Sequence, residues 1–371
     1  MTERGLAMTT RRLLGLAMAF TIVAAACGGG TTPSPSAEPS TAPPSAEPSA
    51  TPGPEEILAE LKANLTGQKL QVGSSASANA SVVGAFKTLE LLEQDFGVTV
   101  EFQLMDSDPL VAALVSGQVQ VGQLSLSGLA NANNNGANFV AVGVNDQKNL
   151  FLVAAKKPTA SLEELRGKPF GATQNLNQIT GQTARKCLAS AGLDIEKDVQ
   201  LIRFNNTGEV TAAIRSGEIA GGISASFRLT RIRLEDGDTI NVLCNGRDEN
   251  PSISSVWIAD RDWVAANRDM ALALIISELN AARWANSDKA GWIALAMEQI
   301  EGYTAEAGEI DYQNIVIDAD NWPVNGGLDL EMCETTLATS FEFGAIDKEV
   351  ACDEVVDASF QEEALAILGT Q

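Results

Sequence analysis

An internal repeat constrains the fold of this chain more than any other feature of the sequence. Residues 110–127 read LVAALVSGQVQVGQLSLS, and residues 210–227 read VTAAIRSGEIAGGISASF, so the two copies align without a gap. Each copy predicts a short amphipathic helix that ends at a left-handed glycine, Gly117 or Gly217. An apolar strand rich in small residues follows each helix. The chain therefore contains two similar units in which a helix leads into a strand.

The elements around the two copies also occur in the same order. Strands are predicted at 69–73 and 98–104 in the first unit, and at 168–172 and 199–204 in the second. A polar turn and a helix separate the two strands of each pair. This alternation predicts α/β architecture with parallel sheets and right-handed connections. Ligands bind beyond the carboxyl ends of such strands, so we expect a site where the polar turns of the two units face each other.

Hydroxyl and amide side chains cluster at these predicted strand ends. Such groups both donate and accept hydrogen bonds, and several stand at predicted helix N-termini, which favour an anionic group. Any one of these serines alone is better explained as a helix cap, but both units place the cluster at the same point. We expect Ser125 and Ser224 to close equivalent strands, and Ser75 and Thr173 to open equivalent helices. The predicted substrate-binding residues are Ser74, Ser75, Ser77, Ser125, Ser127, Thr173, Asn175, Ser224 and Ser226.

Charged and aromatic residues follow the second cluster. One of Arg228, Arg231 and Arg233 can reach a carboxylate or sulfonate, although a solvated surface role is favoured for all three. Phe227 and Trp257 lie near the predicted cleft. Stacking on a ligand is one role for them, and burial in the core is the favoured one.

Composition excludes several classes of function. The 371 residues suffice for two domains, and the 45% hydrophobic content suffices for a sizeable core. A formal net charge of −23 argues against nucleic acid and against direct adhesion to anionic lipid. The absence of histidine excludes histidine triads and histidine-ligated zinc, and no CxxC pair is present. We therefore predict no catalytic residue, no metal site and no cofactor.

The first 26 residues have the features of a targeting signal. Arg11 and Arg12 precede an apolar run at 13–26, which is too short for a comfortable membrane span. Three alanines stand directly before Cys27, a pattern that resembles a bacterial lipoprotein cleavage box. We expect Cys27 to carry the lipid anchor, and the alternative is an ordinary secretory signal with a coincidental cysteine.

A tether is predicted between this anchor and the folded body. Residues 31–54 contain only Thr, Pro, Ser, Ala, Glu and Gly, and PSAEPS occurs twice in them. Such a composition cannot build a core, so residues 27–54 are predicted to be a disordered tether. In polyproline form the segment reaches on the order of 70 Å. The body is predicted to begin near Glu55.

Six segments of the body, in this order, carry a resemblance to a known family. They are ALVSGQVQVG (113–122), SLEELRGKPFGA (161–172), LASAGLD (188–194), AAIRSGEI (212–219), RWAN (283–286) and VVDASFQEEALAILG (355–369). With these segments the body resembles the substrate-binding proteins of ABC importers, in the sulfonate, nitrate and taurine group that includes thiamine-precursor binders. One departure is that Gln120 and Ala220 stand where that group commonly has Asp.

The resemblance implies a two-lobed periplasmic-binding-protein-like type II fold. Its parallel-rich sheets are flanked by helices, and two crossing hinge strands, expected at 151–154 and 254–258, join the lobes. Lobe I would contain residues 55–154 and 252–371, and lobe II residues 155–251. The ligand would lie between the lobes, and closure would signal the permease.

The implied function is that of an extracytoplasmic, lipid-anchored solute-binding protein at the cell surface or in the periplasm. It would deliver a small polar organic or anionic ligand, sulfonate- or nitrate-like or pyrimidine- or vitamin-precursor-like, to an ABC permease and ATPase complex. A monomer is expected. An alternative is a lipoprotein sensor or non-transport surface protein with the same fold. Enzymes of this fold, the thiamine-pyrimidine synthases, rely on histidine and clustered cysteines, which this chain lacks.

Four cysteines remain beyond the predicted anchor, and an extracytoplasmic location permits disulfides. Of three possible pairings, we prefer Cys187 with Cys244 and Cys333 with Cys352, because each pair stays within one predicted lobe. The alternative is four buried thiols.

Overall fold

Two five-stranded sheets organise the computed structural model, which describes residues 52–75 and 78–371. The first sheet contains β1 (Lys69–Ser74), β2 (Thr99–Leu104), β3 (Val121–Leu124), β4 (Phe139–Asp146) and β10 (Ser255–Asp260), in the order β2-β1-β3-β10-β4. The second sheet contains β5 (Phe151–Lys156), β6 (Pro169–Thr173), β7 (Gln200–Phe204), β8 (Gly221–Ala225) and β9 (Ile240–Asn245), in the order β7-β6-β8-β5-β9.

Helices cover both sheets and form most of the C-terminal third. They are α1 (Pro54–Leu65), α2 (Val83–Phe96), α3 (Ser107–Val115), α4 (Leu126–Asn134), α5 (Ile179–Ser190), α6 (Thr207–Ser216), α7 (Ser226–Asp236), α8 (Gly246–Glu249), α9 (Arg261–Ala266), α10 (Arg268–Ser287), α11 (Lys289–Gln299), α12 (Ala305–Asp311), α13 (Leu330–Glu342), α14 (Cys352–Val355) and α15 (Ser359–Leu368). Short 3-10 helices occur at Ala80–Val82 and Glu163–Leu165, and a π-helix at Tyr312–Ile317.

The two sheets have the same topology and exchange one strand. Strand β1 pairs in parallel with β2 and β3, and β6 pairs in parallel with β7 and β8. Strand β10 lies antiparallel between β3 and β4, and β5 lies antiparallel between β8 and β9. In the chain, β5 of the second sheet directly follows β4 of the first, and β10 of the first sheet follows β9 of the second. This confirms the predicted fold class with its two crossing strands.

The crossing strands lie close to their predicted positions. The segments expected at 151–154 and 254–258 are β5 and β10. The hydrogen bonds of β5 place it in the second sheet, whereas the predicted lobe I extends to residue 154. The division into lobe I (55–154 and 252–371) and lobe II (155–251) stays a prediction.

Paired glycines explain why the repeat recurs in both sheets. A Cβ atom on Gly73 of β1 would lie 2.4 Å from Leu110 Cδ1, and one on Gly171 of β6 would lie 2.8 Å from Val210 Cγ1. Leu110 and Val210 occupy equivalent positions of the repeat, in α3 and α6. Both helices therefore pack directly on the glycine backbone of their sheet, and a larger residue at either glycine would be overpacked.

Buried apolar clusters lie on both faces of the first sheet. One cluster contains fully buried Trp257 together with residues of α2 and α10, so Trp257 has the favoured core role. The other contains residues of α4 and α13. A third cluster surrounds the second sheet, and a fourth, around Trp292, joins α11 to the start of α2. Burial of this surface is the main stabilising contribution.

Two disulfides join elements within these clusters. Cys187 of α5 is bonded to Cys244 of β9, with Cα atoms 5.9 Å apart. Cys333 of α13 is bonded to Cys352 of α14, with Cα atoms 5.8 Å apart. This is the pairing that the sequence favours over four thiols.

The predicted signal at 1–26, the anchor Cys27 and most of the tether at 27–54 lie outside the described residues. The first described helix, α1, begins at Pro54, next to the predicted start of the body at Glu55. Across residues 52–75 and 78–371, the helices are all too short or too polar to span a bilayer.

Candidate functional site

A cavity of about 510 Å³ lies between the two units that contain the repeats. From the first unit, Ser125 and Ser127 line it together with residues of α3 and α4. From the second unit, Asn175 and Gln178 line it, in the loop that follows β6. The carboxyl ends of β3 and β6 therefore contribute polar side chains to one cavity, as expected for open α/β sheets.

Ser125 owes its position to the start of α4. It is the N-cap residue of that helix, with extended backbone angles, and its Oγ accepts a hydrogen bond of 3.1 Å from Gly128 N. The hydroxyls of Ser125 and Ser127 lie 3.3 Å apart. Ser125 thus serves as a cap and also lines the cavity, and the N-terminus of α4 adds a favourable potential for negative charge.

The loop after β6 is held by short polar contacts. Asn175 Oδ1 accepts a 2.9 Å hydrogen bond from Asn177 N, which is an Asx turn. Asn177 Nδ2 in turn donates to Gly344 O at 3.1 Å, beyond the end of α13. The exposed side chain of Gln178 makes no hydrogen bond within the described part of the chain. Gln178 is not among the predicted substrate-binding residues, although it lies within the polar turn predicted after the strand at 168–172.

Thr173, Ser74 and Ser75 do not line this cavity. Thr173 Oγ1 lies 2.8 Å from Thr180 Oγ1. Ser74 is a buried residue of β1, and the hydroxyl of exposed Ser75 donates to Gln123 O at 3.2 Å. Ser77 lies outside the described residues. Their predicted role in substrate binding stays a prediction.

The two serines expected at equivalent strand ends differ by one residue in register. When the two copies of the repeat are aligned, Ser125 corresponds to Ala225, which is the N-cap of α7, and Leu124 corresponds to Ser224. Side chains alternate along a strand, so this shift turns Ser224 to the other face. Ser224 is fully buried, and its hydroxyl lies 2.7 Å from Thr211 Oγ1. The expectation that Ser125 and Ser224 stand at equivalent positions is wrong.

Ser226 lies in a second, smaller cavity with Arg233 and has no part in the first one. A third cavity, of about 540 Å³, is lined by Asn79, Phe227, Arg228 and Tyr303. The structure therefore brings only Ser125, Ser127 and Asn175 of the described predicted residues into one cavity.

Arg228 is the charged residue of the third cavity that fits an anion best. Its Nε donates to Thr207 Oγ1 at 3.1 Å, and its guanidinium lies 5.5 Å from the ring centroid of Phe227. Within the described residues no carboxylate pairs with it, and burial lowers its pKa. A partly buried cation of this kind attracts negative charge. The charge pattern favours a solvated role for this arginine, because burial cannot be seen in a charge pattern.

Three carboxyl groups are buried in the structure, and no sequence pattern singles them out. Burial raises the pKa of Asp311 to about 6 and that of Asp146 to about 7. It raises the pKa of Glu278 to about 8. Asp311 is held by Thr230 of α7 and by Tyr303, at 2.6 and 2.7 Å. The described residues contain no group of three or more acidic or cysteine side chains able to hold a metal ion.

Two α/β sheets that exchange a strand and share a polar cleft define a solute-binding protein of the two-lobed type. The chain belongs to the family described as ABC transporter, phosphonate, periplasmic substrate-binding protein, whose model matches residues 72–278. The resemblance of the sequence to substrate-binding proteins of ABC importers is thereby confirmed. Comparison with curated proteins finds no match.

Solved structures share the fold at low sequence identity. The periplasmic aliphatic sulphonate-binding protein SsuA from Escherichia coli is 18% identical, with a TM-score of 0.63 over 78% of this chain and 97% of that chain. The periplasmic nitrate-binding protein NrtA from Synechocystis PCC 6803 is 12% identical, with a TM-score of 0.63 over 82% and 90%. The desulfurization enzyme DszB is 14% identical, with a TM-score of 0.62 over 80% and 99%.

Proposed function

We propose that the protein is an extracytoplasmic solute-binding protein that delivers a small polar organic or anionic ligand to an ABC importer. The observation that carries this proposal is the cavity lined by Ser125 and Ser127 from one unit and by Asn175 and Gln178 from the other. A ligand that contacts both units favours the arrangement in which they lie together. Ligand occupancy is thereby coupled to the relative position of the two sheets, which a permease can recognise.

The lining chemistry supports a ligand recognised by hydrogen bonds. Hydroxyl and amide groups donate and accept, so they suit a sulfonate- or nitrate-like anion as well as a pyrimidine-like heterocycle. Among the residues that the structure describes, Asp108, at the start of α3, is the only charged one on the wall. Positive potential for an anion would come from the N-terminus of α4, where Ser125 and Ser127 lie.

The remaining parts of the proposal concern attachment and assembly. Cys27 would carry a lipid, residues 27–54 would form a tether, and lobes I and II would close on the ligand as a monomer. The family description supports a location in the cell envelope. The net charge of −23 supports a body that does not adhere directly to anionic surfaces. We propose no enzymatic activity, because the chain has no histidine and, among the described residues of the cavity, no hydroxyl is hydrogen-bonded to a carboxylate.

The likeness to DszB supports a competing function, an enzyme acting on an organosulfur compound, through fold alone. A second competing function is a lipoprotein sensor with the same ligand site. Genes for a permease and an ATPase beside this gene would favour transport over both. Turnover of a ligand by the purified protein would contradict transport as the function.

The direct experiment identifies the ligand by mass spectrometry of protein purified without unfolding, followed by titration of that compound. Ser127→Ala and Gln178→Ala, one in each unit, should each weaken binding roughly three- to a hundredfold, the range for one lost hydrogen bond. Ser116→Ala is the matched control, since its hydroxyl bonds to Ala113 O outside the cavity. Binding unaffected by both cavity variants would exclude this cavity as the ligand site.

A further inference from the structure

The second cavity, of about 220 Å³, lies beside the two crossing connections. Ser226 and Arg233 of α7 line it, with Asn245 at the end of β9 and Arg247 in α8. Asn314 and Asp318 line it from the π-helix and the residue that follows. None of these residues lines the cavity of about 510 Å³ that contains Ser125. That cavity, called the larger cavity below, is therefore a separate site.

Its two arginines are exceptional among those that the structure describes. Neither Arg233 nor Arg247 makes a hydrogen bond, an ion pair within 4 Å or a contact with an aromatic ring. Every other described arginine has at least one such partner. Arg233 attracts Asp238 at longer range, but that carboxylate is hydrogen-bonded to Lys157. In a chain with 48 acidic and 25 basic residues, two partnerless arginines on one wall are unexpected.

The hydroxyl of Ser226 supplies an independent observation. Its Oγ is buried and has no hydrogen-bond partner within the described residues, whereas its backbone N–H donates to Leu150 O at 3.1 Å. A buried hydroxyl without a partner is unfavourable, so a ligand that supplies the partner would gain affinity. Ser226 is the first residue of α7, so the cavity also receives the positive end of that helix.

We propose that this cavity binds a small oxyanion of the phosphate or sulfate type. Two guanidinium groups can each donate paired hydrogen bonds to such an anion, and Ser226 and the amides of Asn245 and Asn314 can donate more. The volume suits an inorganic anion better than a larger organic molecule. The anion would link α7 and α8, which follow β8 and β9, to the π-helix. It would thereby stabilise the packing of the C-terminal segment against the second sheet. The inference does not depend on which ligand the larger cavity takes.

One side chain opposes the anion. Asp318 is exposed, and its Oδ1 accepts a 2.7 Å hydrogen bond from Gln313 Nε2. Its charge repels an anion in the cavity, screened by solvent at the rim. Asp318→Asn should therefore strengthen anion binding, which is the opposite sign to the arginine variants.

The test is titration calorimetry of the purified protein with inorganic phosphate and with sulfate, at ionic strength held constant with chloride. Arg233→Gln and Arg247→Gln should each weaken binding roughly ten- to a hundredfold. Arg231→Gln, on the same helix but exposed and paired with Glu235, should leave it unchanged. All variants should melt within a few degrees of the parent in chloride, because both cavity arginines are partly exposed.

Three outcomes would overturn the proposal. The first is no binding of either anion above chloride. The second is a loss in Arg231→Gln as large as in Arg233→Gln, which would show unspecific attraction. The third is a loss of phosphate binding in Ser127→Ala or Gln178→Ala, which would place the anion in the larger cavity. A failure of the proposed transport function leaves the arginine result unaltered, so the two proposals fail separately.

Discussion

The hydroxyl of Thr230 donates a 2.6 Å hydrogen bond to Oδ1 of Asp311, whose side chain is fully buried. Thr230 belongs to α7, beside the second sheet, and Asp311 ends α12 in the C-terminal segment. Tyr303 Oη donates to the other carboxylate oxygen at 2.7 Å. The contact therefore fixes the C-terminal segment to the second half of the cleft through a carboxyl group that water cannot reach.

Replacement of Thr230 by valine should destabilise the protein, because Asp311 then loses one of its two donors. A buried hydrogen bond to a charged group contributes about 1.5–3 kcal/mol to the free energy of unfolding. Thr230→Ser keeps the donor and serves as the matched control. Urea unfolding of the three proteins measures the effect, and equal losses in the valine and serine variants would assign it to packing instead.

Glu278 should make stability fall as pH rises. Its Oε1 accepts a hydrogen bond from Val144 N at 3.2 Å, and burial raises its pKa from 4.5 to about 8. A raised pKa in the folded state means that the protonated group contributes stability below about pH 4.5, and that this contribution is lost as pH rises to about 8. The slope is at most about 1.4 kcal/mol per pH unit.

The experiment for Glu278 compares the parent with Glu278→Gln, which keeps the shape and cannot ionise. The free energy of unfolding of the variant should rise relative to that of the parent as pH increases from 5 to 9. Comparison at each pH cancels the contribution of Asp146, whose pKa of about 7 falls in the same window. A constant difference across this range would show that Glu278 does not titrate there.

Both disulfides should form in protein exported by its native host, and non-reducing peptide mapping should find Cys187 with Cys244 and Cys333 with Cys352. The sequence separations are 57 and 19 residues. The chain-entropy model then gives about 4 and about 3 kcal/mol for loss of the first and the second bond. Double serine variants of each pair test this order, and four free thiols in the exported protein would refute the pairing.

Lipid attachment at Cys27 predicts a change of compartment when the thiol is removed. Cys27→Ala should release the protein into the soluble fraction and abolish labelling by a fatty-acid probe. Thr31→Ala is a suitable control, because it lies in the predicted tether and leaves the predicted cleavage box and both disulfides intact. Unchanged membrane association of Cys27→Ala would mean that another segment anchors the protein.

The sequence predicts the fold well because the fold repeats. Two copies of one helix-strand pattern, joined in the same order to similar neighbours, leave few ways to form sheets. The paired glycines Gly73 and Gly171 keep this pattern in place in both halves. The family resemblance rests on segments that lie in these same elements.

The site is less predictable, because side-chain direction depends on single-residue register. Ser125 and Ser224 look alike in sequence, yet one caps α4 at the cavity and the other bonds to Thr211 in the core. Asp311 and Gln178 carry no periodic signal at all. Their surroundings come from the C-terminal segment and the loop after β6, which only the folded chain brings to the cleft.

The strand exchange also has a consequence for how the chain is synthesised. Strands β3 and β4 are separated in the first sheet by β10, which ends at Asp260. A ribosome that has released the first half of the body has therefore produced a sheet with a gap at its fourth position. The first sheet stays incomplete until the five strands of the second sheet, which run from Phe151 to Asn245, and then β10 have been synthesised. The first sheet is therefore expected to be completed after the second, although its synthesis begins first.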